Sequence, residues 1–258
     1  MPANETSGTS DAPFIRIRGL HASFGTQQVL KGVDLDINHG ETVVLIGPSG
    51  EGKSVLLKHI IGLLSPARGE VTFDGISLGG LKERQLGAIR RRMGYLFQNA
   101  ALFDSFTVFQ NVAFPLLEAG VRKSEEIQRR VLEALEVVEL DAHKDKMPIN
   151  LSGGMRKRVG IARAIVCRPE IILYDEPTAG LDPIVTDVID HLIKRLQKRY
   201  QVTSVVITHD INSVFKIADR VVMLRKGVVH FNGTTGELRR SGDAFIQDFI
   251  AGRSGMES

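Results

Sequence analysis

Residues 42–64 read TVVLIGPSGEGKSVLLKHIIGLL. The unalternated run TVVLIG predicts a strand buried on both faces. Lys53–Leu64 predicts a helix, stopped by Ser65 and Pro66. Between strand and helix, Gly47, Gly52, Lys53 and Ser54 satisfy the spacing G-x-x-x-x-G-K-[ST]. Glycines let backbone N–H groups converge on phosphate oxygens, and the helix N-terminus adds favourable partial charge. Lys53 is positioned for the β- and γ-phosphates and the Ser54 hydroxyl for Mg²⁺. The loop Gly47, Pro48, Ser49, Gly50, Glu51, Gly52, Lys53 and Ser54 is therefore a nucleotide phosphate cradle.

Moving outward, Phe14–Arg18, Val33–Ile37 and Glu70–Phe73 predict short strands, with Asp74-Gly75 as a turn. Ile127, Val131, Leu135 and Val138 recur at helical spacing across Glu125–Leu140, as an ordinary core stripe does. EIILYDEP (170–177) and TSVVITHD (203–210) are two more buried-type strands. Helix Ile184–Arg199 between them makes a strand–helix–strand unit and hence a parallel sheet. The first ends in Asp175 and Glu176, at the sheet edge where α/β proteins bind ligands. Asp175 is suited to hold Mg²⁺ through water, and Glu176 to take a proton from the attacking water. His209 ends the next strand in a similar position, within reach of the γ-phosphate and that water. The other six histidines and Cys167 have no metal-ligand spacing.

Composition bounds the partners. With 258 residues and 43% apolar content, the chain can bury a core in one large domain or two joined lobes. A formal net charge of +3 gives no basis for a nucleic-acid partner. The runs Arg90-Arg91-Arg92 and Arg156-Lys157-Arg158 are short enough to be solvated faces or internal salt bridges. The single cysteine excludes an intramolecular disulfide and fits a reducing compartment. No stretch reaches about eighteen consecutive apolar residues, the length of a membrane span. Residues 1–13 are small and polar without the features of a signal peptide, predicting a disordered arm on a soluble, cytosolic chain.

One stretch remains unexplained by this core. LSGGMRKRV (151–159) puts a hydroxyl and two glycines ahead of a helical run, Met155–Cys167. Ser152 suits the N-cap and can also donate to a phosphate, while Gly153 and Gly154 expose helix-start N–H groups. One nucleotide cannot easily fill two separately built cradles. Two copies arranged head to tail can each lend the second cradle to the other's nucleotide.

From Phe14 to Leu238 the chain resembles the ATP-binding cassette (ABC) ATPases. GPSGEGKS looks like Walker A, IILYDEP like Walker B and LSGGM like the signature motif. Gln98 looks like the Q-loop glutamine that touches Mg²⁺ and water, AGLD with Asp182 like the D-loop, and His209 like the switch histidine. Phe24 stands where the family stacks an aromatic on adenine, although by itself it also suits the core of a small β lobe. Met155 replaces the usual glutamine, which puts that residue's polar contact in doubt.

The resemblance implies an α/β P-loop NTPase with a RecA-like parallel sheet, a small antiparallel β lobe and an α-helical subdomain. Its domain would cover residues 14–240, with the helical part at about 99–165 and a tail at 241–258. It also implies ATP, Mg²⁺, a homodimer and a permease docked near Leu102 and Phe103, whereas Phe109 and Phe106 read as core residues. LFQNAALFDSFTVFQNVAFPL and LSGGMRKRVGIARAI resemble the ATPases of Mla-type phospholipid transporters. That implies an accompanying mammalian-cell-entry (MCE) domain protein and a peripheral location on the cytoplasmic side of a bacterial inner membrane. Transport of lipoprotein, amino acid or organic solvent stays open, as does a nontransport ABC protein of translation or DNA repair.

Overall fold

The computed structural model describes residues 12–253, so the arm expected at 1–13 lies almost wholly outside the described residues. The chain begins with β1 (Ile15–Phe24), β2 (Gln27–Ile37), β3 (Thr42–Ile46) and α1 (Lys53–Ile60). β4 (Arg68–Phe73), β5 (Ile76–Ser77), α2 (Glu83–Arg90) and β6 (Met93–Leu96) come next. Helices α3 (Val108–Glu118), α4 (Ser124–Val137) and α5 (Gly153–Ile165) precede β7 (Ile171–Asp175), α6 (Pro183–Tyr200) and β8 (Thr203–Ile207). The chain closes with α7 (Ile211–Ile217), β9 (Arg220–Arg225), β10 (Val228–Gly233), α8 (Thr235–Arg240) and α9 (Ala244–Ile250).

Two sheets form. One is antiparallel, in the order β2-β1-β4-β5. The other runs β10-β9-β3-β8-β7-β6, parallel throughout except for β10 at its edge. β3 explains the unalternated run: every residue in it is buried. Val44 and Ile46 enter a core shared with α4, α5 and α6, and Val43 and Leu45 enter one shared with β1, β2 and α1. Complete burial of each such side chain contributes about 1.5–3 kcal/mol, so both faces of the strand select apolar residues.

Several bounds differ from the sequence reading. β1 continues to Phe24 because bulges between Ile17 and Leu20 and near Ala22 shift its register against β2. A bulge interrupts the two-residue alternation by which a strand is recognised. α1 ends at Ile60 rather than Leu64, since Gly62 takes a positive φ of 69° and its N–H bonds back to the His59 carbonyl. Residues 241–253 include a helix docked on the core. Asp243 caps α9 by accepting from Phe245 N and Ile246 N, Ile246 is buried, and the Arg225 guanidinium lies 3.7 Å from the Phe245 ring centre.

Candidate functional site

The lateral order β3-β8-β7-β6 sets four strand ends side by side, and each carries a residue singled out above. β3 leads into the glycine loop, β8 into His209, β7 into Asp175 and Glu176, and β6 into Gln98. Parallel strands present all their C-terminal ends on one edge, so residues more than a hundred positions apart converge.

Gly47 leaves β3 at φ 137°, and a Cβ there would lie 2.2 Å from the Leu224 carbonyl oxygen. Only glycine lets the loop pass so close to β9. Lys53 Nζ donates to the carbonyls of Gly47 and Pro48, both at 2.7 Å. Burial lowers the pKa of this ammonium, opposed by the carboxylates of Glu176, Glu51 and Asp175. Ser49 and Gly50 are exposed, and Gly52 supplies the left-handed residue before α1. Glu51 turns elsewhere: its Oε2 accepts from Gly227 N at 3.2 Å.

Ser54 Oγ donates to Asp175 Oδ1 at 3.1 Å, bringing the two metal-ligand candidates together across the sheet. Tyr95 OH donates to the other oxygen, Oδ2, at 3.3 Å. Burial first, then Asp175, raises the Tyr95 pKa, so it remains a donor. Glu176 sits at a φ of 52°, turned out of the strand line, with its side chain only 14% exposed. Its Oε2 lies 2.8 Å from His209 Nδ1, yet no aligned hydrogen-bond donor reaches this oxygen among the described residues. His209 itself is 69% exposed at the side chain.

The second cradle is built separately. Ser152 is exposed and caps α5, its Oγ accepting from Met155 N at 3.2 Å. Its hydrogen bonds, including Arg156 N to its carbonyl, stay within this helix start. Gly154 also has a packing role, since a Cβ there would meet Val185 Cγ1 at 2.4 Å. Gly153 would place one 3.4 Å from Leu181. Asp182 caps α6, accepting from Ile184 N and Val185 N at 3.0 Å each. Phe24 is 52% exposed at the end of β1, which removes the core reading for that ring.

Gln98 is exposed, and the loop after it holds an aromatic cluster. Phe103 is 42% exposed, with the rings of Phe106 and Phe114 centred 5.1 and 4.9 Å away. Buried Asn111 fixes this turn, accepting from Phe103 N and donating to the carbonyls of Phe103, Phe106 and Thr107. Leu102 and Phe109 pack against the core instead.

Reading the sequence missed Tyr95, Asn111 and Lys157. Among the described residues the run Arg156-Lys157-Arg158 makes no salt bridges; its members bond to backbone carbonyls, Arg156 to Leu151 and Arg158 to Val138. Lys157 is buried and donates to the carbonyl oxygens of Gln98 and Glu176. Helical phase was the available signal, because Lys157 lies three and four positions before buried Gly160 and Ile161. The other run is held internally, with Arg90 bonded to Glu83 and Arg92 to Glu170 and Asp74.

A family model described as ABC transporter matches residues 30–179. The chain belongs to the ABC transporter family. A relative from Mycobacterium leprae, named probable ribonucleotide transport ATP-binding protein mkl, is 43% identical over 93% of this chain and 69% of its own length. The intermembrane phospholipid transport system ATP-binding protein MlaF of Haemophilus influenzae is 40% identical over 93% of this chain and 91% of its own. A methionine import ATP-binding protein of Carboxydothermus hydrogenoformans is 42% identical over 87% and 67%. A solved ATP-binding cassette, a dimeric post-hydrolysis state bound to ADP and Pi, superposes with a TM-score of 0.78 at 37% identity, covering 85% of this chain and 98% of that one. The ABC subunit described here has the cassette's P-loop NTPase fold and hydrolyses ATP to drive transport. No helix among its described residues is long and apolar enough to cross a membrane, and ABC ATPases act as dimers with a separate permease.

Proposed function

We propose that this subunit powers an Mla-type phospholipid transporter, working as a head-to-tail homodimer under a membrane permease, with an MCE-domain protein in the same complex. It would lie on the cytoplasmic side of a bacterial inner membrane. The MlaF relative supports this cargo because the match covers nearly all of both chains. For catalysis, the observation that carries the reading is the half-sheltered Glu176 carboxylate, with an oxygen lacking an aligned donor beside the Lys53 loop.

In this reading Gly47, Pro48, Ser49, Gly50, Glu51, Gly52, Lys53 and Ser54 cradle the phosphates, and Phe24 presents its exposed face to adenine. Ser152, Gly153 and Gly154 reach the nucleotide held by the partner, with Asp182 at the same junction. Ser54, Asp175 and Gln98 offer oxygen ligands, a hard donor set that fits Mg²⁺. No cluster of three or more His, Cys, Asp or Glu able to hold a metal occurs among the described residues. Mg²⁺ would be held by Ser54, Asp175 and Gln98, and when bound would supply neutralisation of phosphoryl charge. Glu176 accepts the proton of the attacking water at its carboxylate, and the exposed His209 beside it reaches the γ-phosphate and that water. Phe103 and its aromatic neighbours receive the permease's amphipathic coupling segment. Their position directly after Gln98 lets the nucleotide state bias the permease.

The test is to co-purify the subunit with its membrane permease, then follow ATP-driven movement of labelled phospholipid between vesicles and uptake of methionine. Lipid movement without methionine uptake is expected; the reverse result refutes the cargo. Glu176→Gln should cut turnover by about 10²–10⁴-fold with ATP still bound. A variant keeping more than about half the wild-type rate removes Glu176 as the base. Phe103→Asp should bind ATP normally but lose the permease in a detergent pull-down. Normal recovery and transport refute the docking site.

A further inference from the structure

We propose that Lys157 is a positioning residue for ATP hydrolysis, its ammonium holding the backbone of both Glu176 and Gln98 where their side chains act. The inference rests on the reading of Glu176 as base.

Lys157 is 5% exposed, in the second turn of α5. A lysine buried only for the fold is expected to pair with a carboxylate. This one donates instead to two neutral carbonyls, at 2.7 Å to Glu176 and also to Gln98. Both belong to residues of the site. Burial lowers its pKa, with the carboxylates of Glu176 and then Asp175 opposing, so the ammonium sits in the field it helps to organise.

The two segments it holds need holding. Glu176 adopts a positive φ, a conformation that a residue other than glycine keeps only when its surroundings over-determine it. Its N–H bonds to the Ile207 carbonyl at 3.0 Å, and its carbonyl accepts from Lys157 and, more weakly, from Ala179 N at 3.3 Å. Beyond Gln98, Ala100 and Ala101 also have positive φ, 57° and 44°. Arg163 donates to both of their carbonyls, at 2.5 and 2.8 Å. Between the two cations, Gly160 packs so closely that a Cβ would lie 2.6 Å from Leu96 Cδ1. Lys157, Gly160 and Arg163 therefore form one stripe of α5, at a spacing of three, that clamps the end of β6 and the loop after it. The same helix begins at Ser152, in the cradle assigned to the partner's nucleotide.

The experiment uses the full chain with Lys157→Met, which keeps length and removes the donor, and Lys157→Arg, which keeps a cation. For each, kcat and KM for MgATP, fluorescent-nucleotide affinity and Tm are measured. Lys157→Met should lower kcat by about 10²-fold, the effect of a misplacement near 1 Å, while nucleotide affinity stays within about two-fold. Lys157→Arg should recover part of kcat. In a Glu176→Gln background, Lys157→Met should change the residual rate by less than about two-fold, because the two residues act as a unit. Wild-type kcat in folded Lys157→Met overturns the proposal. So do a full additive loss in the double variant and a parallel fall of affinity, kcat and Tm. If Lys157→Met does not fold, Lys157→Gln is judged by the same criteria. Failure of the base reading is separate, since it appears as turnover retained by Glu176→Gln alone.

Discussion

Gly154→Ala tests how the second cradle is held. The added methyl would lie 2.4 Å from Val185 Cγ1, whereas ordinary contact begins at 3.4 Å. The start of α5 and the first turn of α6 must therefore separate by about 1 Å, since a packed interior absorbs little of such a change. Overpacking of this kind costs about 1–3 kcal/mol. The helix preference for alanine over glycine returns up to about 1 kcal/mol. The variant should fold, with Tm lower by a few degrees at about 2–4 °C per kcal/mol for a chain of this size. Turnover should fall further, by up to about 10²-fold, because Ser152 and Asp182 cap the two helices being pushed apart. Val185→Ala removes the obstructing methyl and alone should cost about 1 kcal/mol of stability. The double variant Gly154→Ala/Val185→Ala should regain most of the turnover lost by the single one. Steady-state ATPase rates with thermal melts of all four proteins close the cycle. Wild-type turnover in Gly154→Ala refutes the steric argument. Absence of rescue in the double variant also refutes it, and assigns Gly154 to close approach of the phosphate.

Two further outcomes follow from single side chains. Phe24→Tyr should bind ATP nearly normally, whereas Phe24→Ala should bind about ten-fold or more weakly, given about 1–3 kcal/mol for a base stacked on an aromatic ring. Titration with a fluorescent nucleotide checks this, and normal affinity in folded Phe24→Ala refutes it. Asp190 is buried, with Oδ1 unpartnered among the described residues and Oδ2 accepting from Ser213 Oγ at 2.9 Å; burial pushes its pKa up to about 6. The folded carboxyl binds its proton more tightly than the unfolded one, so stability falls as pH rises from about 4 to about 6 and then levels off. Asp190→Asn should remove that slope and gain about 1–3 kcal/mol at pH 8 relative to pH 4, read from urea midpoints; an unchanged slope refutes it.

Residues adjacent in sequence announced much of this molecule. The Gly47–Ser54 loop, the apolar strands at 42–46, 171–175 and 203–207, and the helix along 183–200 each carry their own backbone and burial chemistry. The helix start at Ser152 was equally legible, because capping and glycine freedom are local. Where local signals were interrupted, the reading stopped short. The bulges of β1 hid its true length, and Gly62 ended α1 before Pro66 could. What no window of sequence contains is lateral order. The neighbours of β3 are β8 and β9, chosen by crossover helices and by cores assembled from distant segments. That order alone brings Ser54 and Tyr95 to Asp175. It also turns Lys157 inward to carbonyls 59 and 19 positions away. The sequence by itself determined which groups can bind phosphate, ligate a metal or take a proton. Tertiary packing decided which of them meet, because parallel strand pairing and helix burial depend on side chains far apart in the chain.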